Sequence, residues 1–194
     1  MRNPVLTLLS VSFLLGALLA CGGGGGGSRS ARVLNYTNSA TATASDWRLE
    51  ADAATNGTGT VLLRLYGPTG TAVQGATIFL TCDGTRAQWV KPSGATDAYA
   101  LEGSALDFTL GPNAAIQLFK SRLMDSNLQV GAYQKTGTRV LSASAPLFTV
   151  ALSPASGATT GIAGLTLTES KAAIYLDGAG EHALELKVGT LTVR

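Results

Sequence analysis

Alternation of apolar and polar residues is the dominant pattern of the chain from residue 47 onward. In the segment 61–66, Val61, Leu63 and Leu65 fall on one side and the intervening residues on the other. A period of two is typical of a β-strand with one buried face. The same pattern predicts strands at 47–50, 73–82, 87–90, 106–110, 128–133, 147–152, 165–168, 173–176, 182–188 and 191–193.

Turn residues separate these segments. Asn56-Gly57, Asp83-Gly84, Asp177-Gly178 and the Gly/Pro-rich stretches 67–70 and 111–113 all carry turn chemistry, and residues 154–161 are expected to form a loop. Residues 114–124 fit either one or two helical turns or a bent strand. Around ten short strands at this spacing predict an all-β protein, a single antiparallel β-sandwich with no parallel sheet.

The first twenty residues have a different character. A single positive charge at Arg2 precedes an apolar run over residues 5–20. This run is shorter than the roughly 20 apolar residues of a membrane-spanning helix, and no basic cluster follows it. We therefore predict an export signal at 1–20, a flexible Gly/Ser/Ala/Thr-rich tether at 21–46 and one sandwich domain at 47–194.

The end of this segment, Leu18-Leu19-Ala20-Cys21, resembles the lipobox of bacterial lipoproteins. The resemblance implies cleavage after Ala20 and lipid attachment at Cys21, so that acyl chains hold the protein on a membrane. The alternative is an ordinary secretory signal that ends beside a cysteine. Position 22 is Gly and not Asp, which under the enterobacterial sorting rule favours the outer membrane. The expected location is thus the bacterial cell envelope.

The order of the later segments resembles cohesin domains, jelly-roll sandwiches related to some carbohydrate-binding modules. The family pattern "v.G..f.L.YDp..l" is similar to residues 73–83, with Cys82 at the usual Tyr position and no proline after Asp83. Segments 147–152, 157–161, 165–168, 177–178 and 188–193 follow in the family's order, so the similarity covers about 60–194. The resemblance implies a cohesin-like sandwich. Cohesins bind calcium-loaded dockerins through one sheet face, a role that the resemblance assigns to no particular residue here.

Composition bears on nucleic-acid binding and on the role of Cys82. Charged residues make up 13% of the chain, and 14 Lys+Arg against 12 Asp+Glu give a net charge of +2, so no basic stripe points to nucleic acid. With Cys21 lipidated, Cys82 has no intrachain disulfide partner. It lies in an apolar strand, which favours a small buried residue over a reactive or intermolecular thiol.

Few residues suit catalysis or metal binding. His182 is the only histidine, and its position on the apolar side of a predicted strand favours a partly buried or edge residue over a catalytic base. One histidine and one further cysteine are too few for a zinc site. Possible calcium ligands near turns are Asp83, Asp97, Asp107, Asp125, Asn127 and Asp177, but their spacing favours solvated turn residues. We expect no enzyme activity and no cofactor.

Two kinds of ligand fit these observations. The preferred hypothesis is a surface lipoprotein whose sandwich binds another protein or helps to build an envelope assembly. The alternative is a carbohydrate-binding module, for which Trp47, Trp89, Tyr99 and Tyr133 are the candidate aromatic residues. That alternative requires at least two aromatic rings exposed on one sheet face, whereas a small sandwich core also takes up aromatic side chains.

Overall fold

Short strands account for nearly all the regular structure of this protein. The computed structural model describes residues 31–95, 98–109, 118–168 and 171–194, and these contain no helix. The strands are β1 (Leu34–Thr37), β2 (Trp47–Ala51), β3 (Val61–Tyr66), β4 (Ala72–Val73), β5 (Gly75–Cys82), β6 (Ala87–Val90), β7 (Ala100–Glu102), β8 (Phe119–Met124), β9 (Asn127–Tyr133), β10 (Arg139–Val140), β11 (Phe148–Pro154), β12 (Gly161–Ala163), β13 (Leu165–Leu167), β14 (Ile174–Leu176), β15 (Glu181–Ala183), β16 (Leu186–Lys187) and β17 (Thr190–Val193).

Two six-stranded sheets form the sandwich. The first, called the front sheet here, has the order β15-β14-β5-β9-β8, and β13 also pairs with β5. The second, the back sheet, has the order β16-β2-β3-β11-β6, and β7 also pairs with β11. Smaller sheets, β1-β17-β12 and β10-β4, complete the described fold. The predicted all-β sandwich is confirmed.

The core lies between the two sheets because each strand turns its apolar positions toward the other sheet. In β3, Val61, Leu63 and Leu65 are 0% exposed, as the alternation predicts. In β5, Ile78 and Leu80 are also 0% exposed, while the residues between them remain partly accessible. Side chains from both sheets join one continuous apolar cluster. Burial of this cluster is the main favourable contribution to folding.

Aromatic contacts connect the sheets across the core. The ring of Trp47 on β2 lies 5.4 Å from that of Tyr175 on β14, and the ring of Phe148 on β11 lies 6.5 Å from that of Phe119 on β8. Such tilted contacts match the preferred arrangement of aromatic pairs. They connect the two sheets at two separate places in the core.

The first strand lies upstream of the predicted domain boundary. Strand β1 pairs antiparallel with β17, with Leu34 opposite Val193 and Tyr36 opposite Leu191. Leu34 is 0% exposed and Tyr36 is 2% exposed. The sandwich therefore begins no later than Leu34, and the boundary at residue 47 was placed too late. The flanking residues are small and polar, so local composition did not reveal a strand that depends on the distant β17.

Residues 182–188 form two strands and not the single predicted one. Strand β15 pairs with β14 in the front sheet, whereas β16 pairs with β2 in the back sheet. Between them Leu184 is buried, and its amide donates to the Ala173 carbonyl. Alternation shows which residues face the core but not from which sheet, so it could not predict this crossing. The β16–β2 pair is also parallel, contrary to expectation.

Three other predicted segments differ in part from the structure. Residues 106–109 are not a strand, although Leu106 is buried, and residue 110 lies outside the described part of the chain. For residues 114–124, the strand interpretation is confirmed over Phe119–Met124, and 114–117 are not described. The predicted loop 154–161 is bounded by the end of β11 and the start of β12. The alternating pattern did not predict β7, β10 and β12, because these strands are only two or three residues long.

Candidate interaction surface

The outward side of the front sheet is a broad surface built by strand alternation. Inward residues of β5 and β9 are buried, so the residues between them face outward. We call this surface the front face and define it by its outward residues: Thr77, Phe79 and Thr81 on β5; Lys120, Arg122 and Met124 on β8; Asn127, Gln129, Gly131 and Tyr133 on β9; Thr166 on β13; Ile174 and Leu176 on β14; and Glu181 and Ala183 on β15.

The pairing register places these residues in rows across the strands. One row contains Lys120, Gly131, Thr77 and Ile174, because Lys120 and Thr77 both lie opposite Gly131 and Ile174 lies opposite Thr77. Neighbouring side chains in such a row are about 5 Å apart. Residues distant in the sequence thereby form one surface.

Hydrogen bonds hold several of these polar side chains in place. The hydroxyl groups of Thr77 and Tyr133 are 2.6 Å apart. Thr81 donates to Asn127 Oδ1 at 2.6 Å, and its hydroxyl oxygen lies 2.6 Å from that of Thr168, which donates to it. A surface whose side chains are already ordered loses less conformational entropy when a partner binds.

The opposite side of the sandwich offers a less accessible surface. At outward positions of the back sheet, Ala151 is 0% exposed, Arg48 is 5% exposed and Tyr66 is 7% exposed. Arg48 Nε contacts Glu50 Oε1 at 2.5 Å, and its guanidinium lies over the Tyr66 ring. The Arg48 and Glu50 side chains are thus already paired with each other.

The proposed calcium ligands act as turn residues where the structure describes them. Asp83 accepts hydrogen bonds from the hydroxyl and the amide of Thr85, and these bonds lower the pKa of its carboxyl group. The backbone amides of Ala179 and Gly180 donate to Asp177 Oδ1. The hydrogen bond from Ala179 is the main reason for the lowered pKa of the Asp177 carboxyl group. Asp107 accepts from Thr109.

These carboxylates are dispersed over the domain. Asp125 occupies the β8–β9 turn with a positive φ of 55°, and the Asn127 side chain is engaged by Thr81. Asp97 lies outside the described residues. Among the residues described, no three His, Cys, Asp or Glu side chains come together in a way that could hold a metal ion.

His182 lies on β15, an edge strand of the front sheet, as the sequence predicted for an edge histidine. Its ring stacks on that of Tyr175 at 5.0 Å. The shielded Nε2 atom lies 3.0 Å from Asp177 Oδ2, without hydrogen-bond geometry. The side chain is 41% exposed. These contacts place the imidazole away from the front face.

Cys82 is buried, which confirms the sequence prediction. It is 3% exposed, and its thiol lies 3.4 Å from the Ala87 carbonyl oxygen. Burial raises the pKa of the thiol to about 11. The neutral thiol is therefore the dominant form at neutral pH, and thiolate is the reactive species.

A thiol reagent provides a direct test of this environment. At pH 8 the Cys82 thiol of the Cys21→Ser variant is expected to react with Ellman's reagent at least about a hundredfold more slowly in the folded protein than in denaturant. A Cys82→Ser variant of the same chain controls for background colour. Equal rates in native buffer and in denaturant would show that Cys82 is accessible.

The candidate glycan-binding aromatics do not form a common platform. Trp47 and Trp89 are each 5% exposed, and the Trp89 indole donates to the Ser126 carbonyl at 2.8 Å. Tyr99 packs against the core, and only Tyr133 belongs to the front face. Two of the four are thus core residues.

Sequence reasoning missed the residues that distinguish the front face. Lys120 and Arg122 alternate with the less exposed Phe119, Ser121 and Leu123, and this period of two was a usable signal. In the sequence alone, a glycine within a strand such as Gly131 indicates only a weak point or a bulge. Its register opposite Lys120 and Thr77 depends on strand pairing, which a single sequence does not specify.

Cys21, the predicted lipid attachment residue, lies outside the described residues. No helix with the length and hydropathy needed to cross a bilayer is present in the described part of the chain.

Comparison with known proteins decides the fold. A scan against protein-family models and a search of curated proteins give no match. Among solved structures, a type II cohesin domain from the cellulosome of Acetivibrio cellulolyticus is 13% identical, has a TM-score of 0.51 and covers 75% of this chain and 93% of its own. The fold is that of cohesin domains.

A second structure gives a similar result. The CaCohA2 protein of Clostridium acetobutylicum is 13% identical, has a TM-score of 0.50 and covers 74% of this chain and 87% of its own. The similarity extends over most of both chains. The described domain is therefore a cohesin-like β-sandwich, as the sequence resemblance implied.

Proposed function

We propose that this protein is a lipoprotein of the bacterial cell envelope whose cohesin-like sandwich binds a protein partner through the front face. The observation that carries the binding role is the contrast between the two outer surfaces. The front face presents ordered polar side chains together with exposed cations on β8, whereas the outward residues Arg48, Tyr66 and Ala151 of the back sheet are buried. The likeness to cohesins, which use one sheet face for a protein partner, supports this assignment.

Site-specific photocrosslinking in the native host tests the binding role. A photoreactive phenylalanine derivative at Gln129, on the front face, is expected to give a discrete adduct with another envelope protein. The same derivative at Gln88, an exposed residue on β6 of the back sheet, is the matched control and should not give that adduct. Identical adducts from both positions, or none from Gln129, would contradict the proposal.

The lipid anchor is supported by the sequence preceding the domain. Leu18-Leu19-Ala20-Cys21 ends the apolar run, and six glycines at 22–27 follow it directly. Gly-rich segments behave as flexible chains, which suits attachment of a folded domain to a membrane surface. The Gly at position 22 favours the outer membrane.

Replacement of each cysteine in turn by serine tests the lipid anchor. In a bacterial host that processes lipoproteins, the wild-type chain and Cys82→Ser are expected to incorporate labelled palmitate and to partition into the detergent phase. Cys21→Ser should lose both properties, because lipidation requires its thiol. Incorporation of label into Cys21→Ser at the wild-type level would refute lipidation at this residue.

A further inference from the structure

Two cations lie side by side on the front face. Lys120 and Arg122 are both exposed and point outward from the edge strand β8, about 7 Å apart along the strand. Neither forms an ion pair with any described residue. In contrast, Arg48, Arg64, Arg86 and Arg139 each contact a carboxylate. Among the residues that the structure describes, no carboxylate forms an ion pair with either of these two positive charges on the front face.

A notch lies beside these cations. Its volume is about 360 Å³, and Lys120, Arg122, Gln129, Gly131, Tyr133 and Thr77 contribute to its lining. Gly131 occupies the middle of the row between Lys120 and Thr77 and provides no side chain. The notch is consequently open to solvent beside the edge strand β8.

The fold itself does not require glycine at position 131. Its backbone is not among those with positive φ, and a Cβ atom there would lie 3.4 Å from Thr77 Oγ1 and 3.5 Å from Tyr133 Cε2, ordinary contact distances. Gly within a strand costs about 0.5–1 kcal/mol relative to Ala. The structural effect of Gly131 is to keep the notch open.

The polar groups around the notch suit a ligand that accepts hydrogen bonds. One of the two hydroxyls in the Thr77–Tyr133 pair donates to the other, so the second hydroxyl proton is free to bind a ligand. The Gln129 amide provides further donors, and Lys120 and Arg122 provide charged ones. A carboxylate has acceptors only and carries the complementary charge.

We infer that the notch at Gly131 receives an acidic side chain of the protein partner, with Lys120 and Arg122 as its charged neighbours. This inference rests on the proposed function and specifies the chemistry of the partner at the front face. It predicts a partner segment rich in Asp or Glu, held by charge complementarity and by insertion of one side chain.

Selection from a random peptide library tests the inference. The detergent-solubilised full chain is used to select from a phage-displayed library of 12-residue peptides, and the strongest binders are synthesised. Acidic residues should be enriched, and replacing the key Glu or Asp of a peptide by Gln or Asn should weaken binding about tenfold. The double variant Lys120→Glu/Arg122→Glu and the notch-filling Gly131→Val should each weaken binding by at least that factor.

A matched control separates local from overall charge. Arg32→Glu/Arg194→Glu changes the net charge equally at exposed positions away from the front face, and its affinity for the peptides should stay within about twofold of wild type. Cooperative unfolding of every variant is checked by circular dichroism. A loss of affinity in this control equal to that of the front-face variant would overturn the inference.

The outcomes distinguish the inference from the proposed function. Peptides that require the front face but show no acidic enrichment would overturn the inference and leave protein binding intact. Selection of no peptide that depends on the front face would overturn both. Vesicles of anionic phosphatidylglycerol are tested separately. If the protein binds these vesicles through Lys120 and Arg122 but binds no acidic peptide, the partner of the front face is a membrane surface and not a protein.

Discussion

Removal of strand β1 is expected to abolish cooperative folding of the domain. A fragment that begins at Ser39 lacks Leu34 and Tyr36, which are 0% and 2% exposed in the structure. Loss of each large buried side chain costs about 2–5 kcal/mol, so the combined loss is comparable to the total stability of a domain, about 5–15 kcal/mol. Urea denaturation followed by circular dichroism measures the effect.

Hydrogen bonds increase this expected loss. The Tyr36 hydroxyl accepts from the Gly189 amide at 2.6 Å, and Asn56 accepts from the Tyr36 amide and donates to its carbonyl. Without β1, Gly189 and Asn56 lose these partly buried hydrogen bonds, at about 1 kcal/mol for each bond. The control fragment 31–194 should unfold cooperatively. Equal urea midpoints for the two fragments would show that β1 is dispensable.

Replacement of Phe148 by alanine is expected to destabilise the domain by about 3–5 kcal/mol, because it leaves a cavity at the centre of the core. Phe148 is 0% exposed on β11, and its ring contacts that of Phe119 across the two sheets. Both the transfer of its ring from water and the contacts between the sheets are lost. The free energy of unfolding in urea is the measurement.

Phe79→Ala is the matched control for this substitution. Phe79 lies on the front face outside the core cluster and keeps part of its surface in water, so its replacement should cost less, about 1–2 kcal/mol. The comparison holds the chemical change constant and varies the depth of burial. Equal destabilisation by the two substitutions would mean that the core is not organised around Phe148.

Much of the fold was predictable from local pattern. The alternation at residues 61–66 and 147–152 predicted β3 and β11, and the buried position of Cys82 followed from its place in an apolar strand. These features depend on nearest neighbours along the chain. Period-two alternation is dictated by strand geometry and is therefore visible in a single sequence.

The candidate interaction surface was less accessible to sequence reasoning. Lys120, Gly131 and Thr77 come from three strands and become neighbours only through pairing. Each is unremarkable in its own segment, since a cation, a glycine or a threonine is common in any exposed strand. Their chemical meaning depends on a register that no local pattern specifies.

The sequence by itself determined an all-β chain, most of its strands and the buried state of Cys82, because these follow from which residues avoid water. Only the tertiary structure decided that β1 closes the domain against β17, that residues 182–188 cross from one sheet to the other, and that Lys120 and Arg122 flank an open notch at Gly131. The physical reason is that burial is encoded locally, whereas the choice of pairing partner depends on the free energy of the whole sandwich.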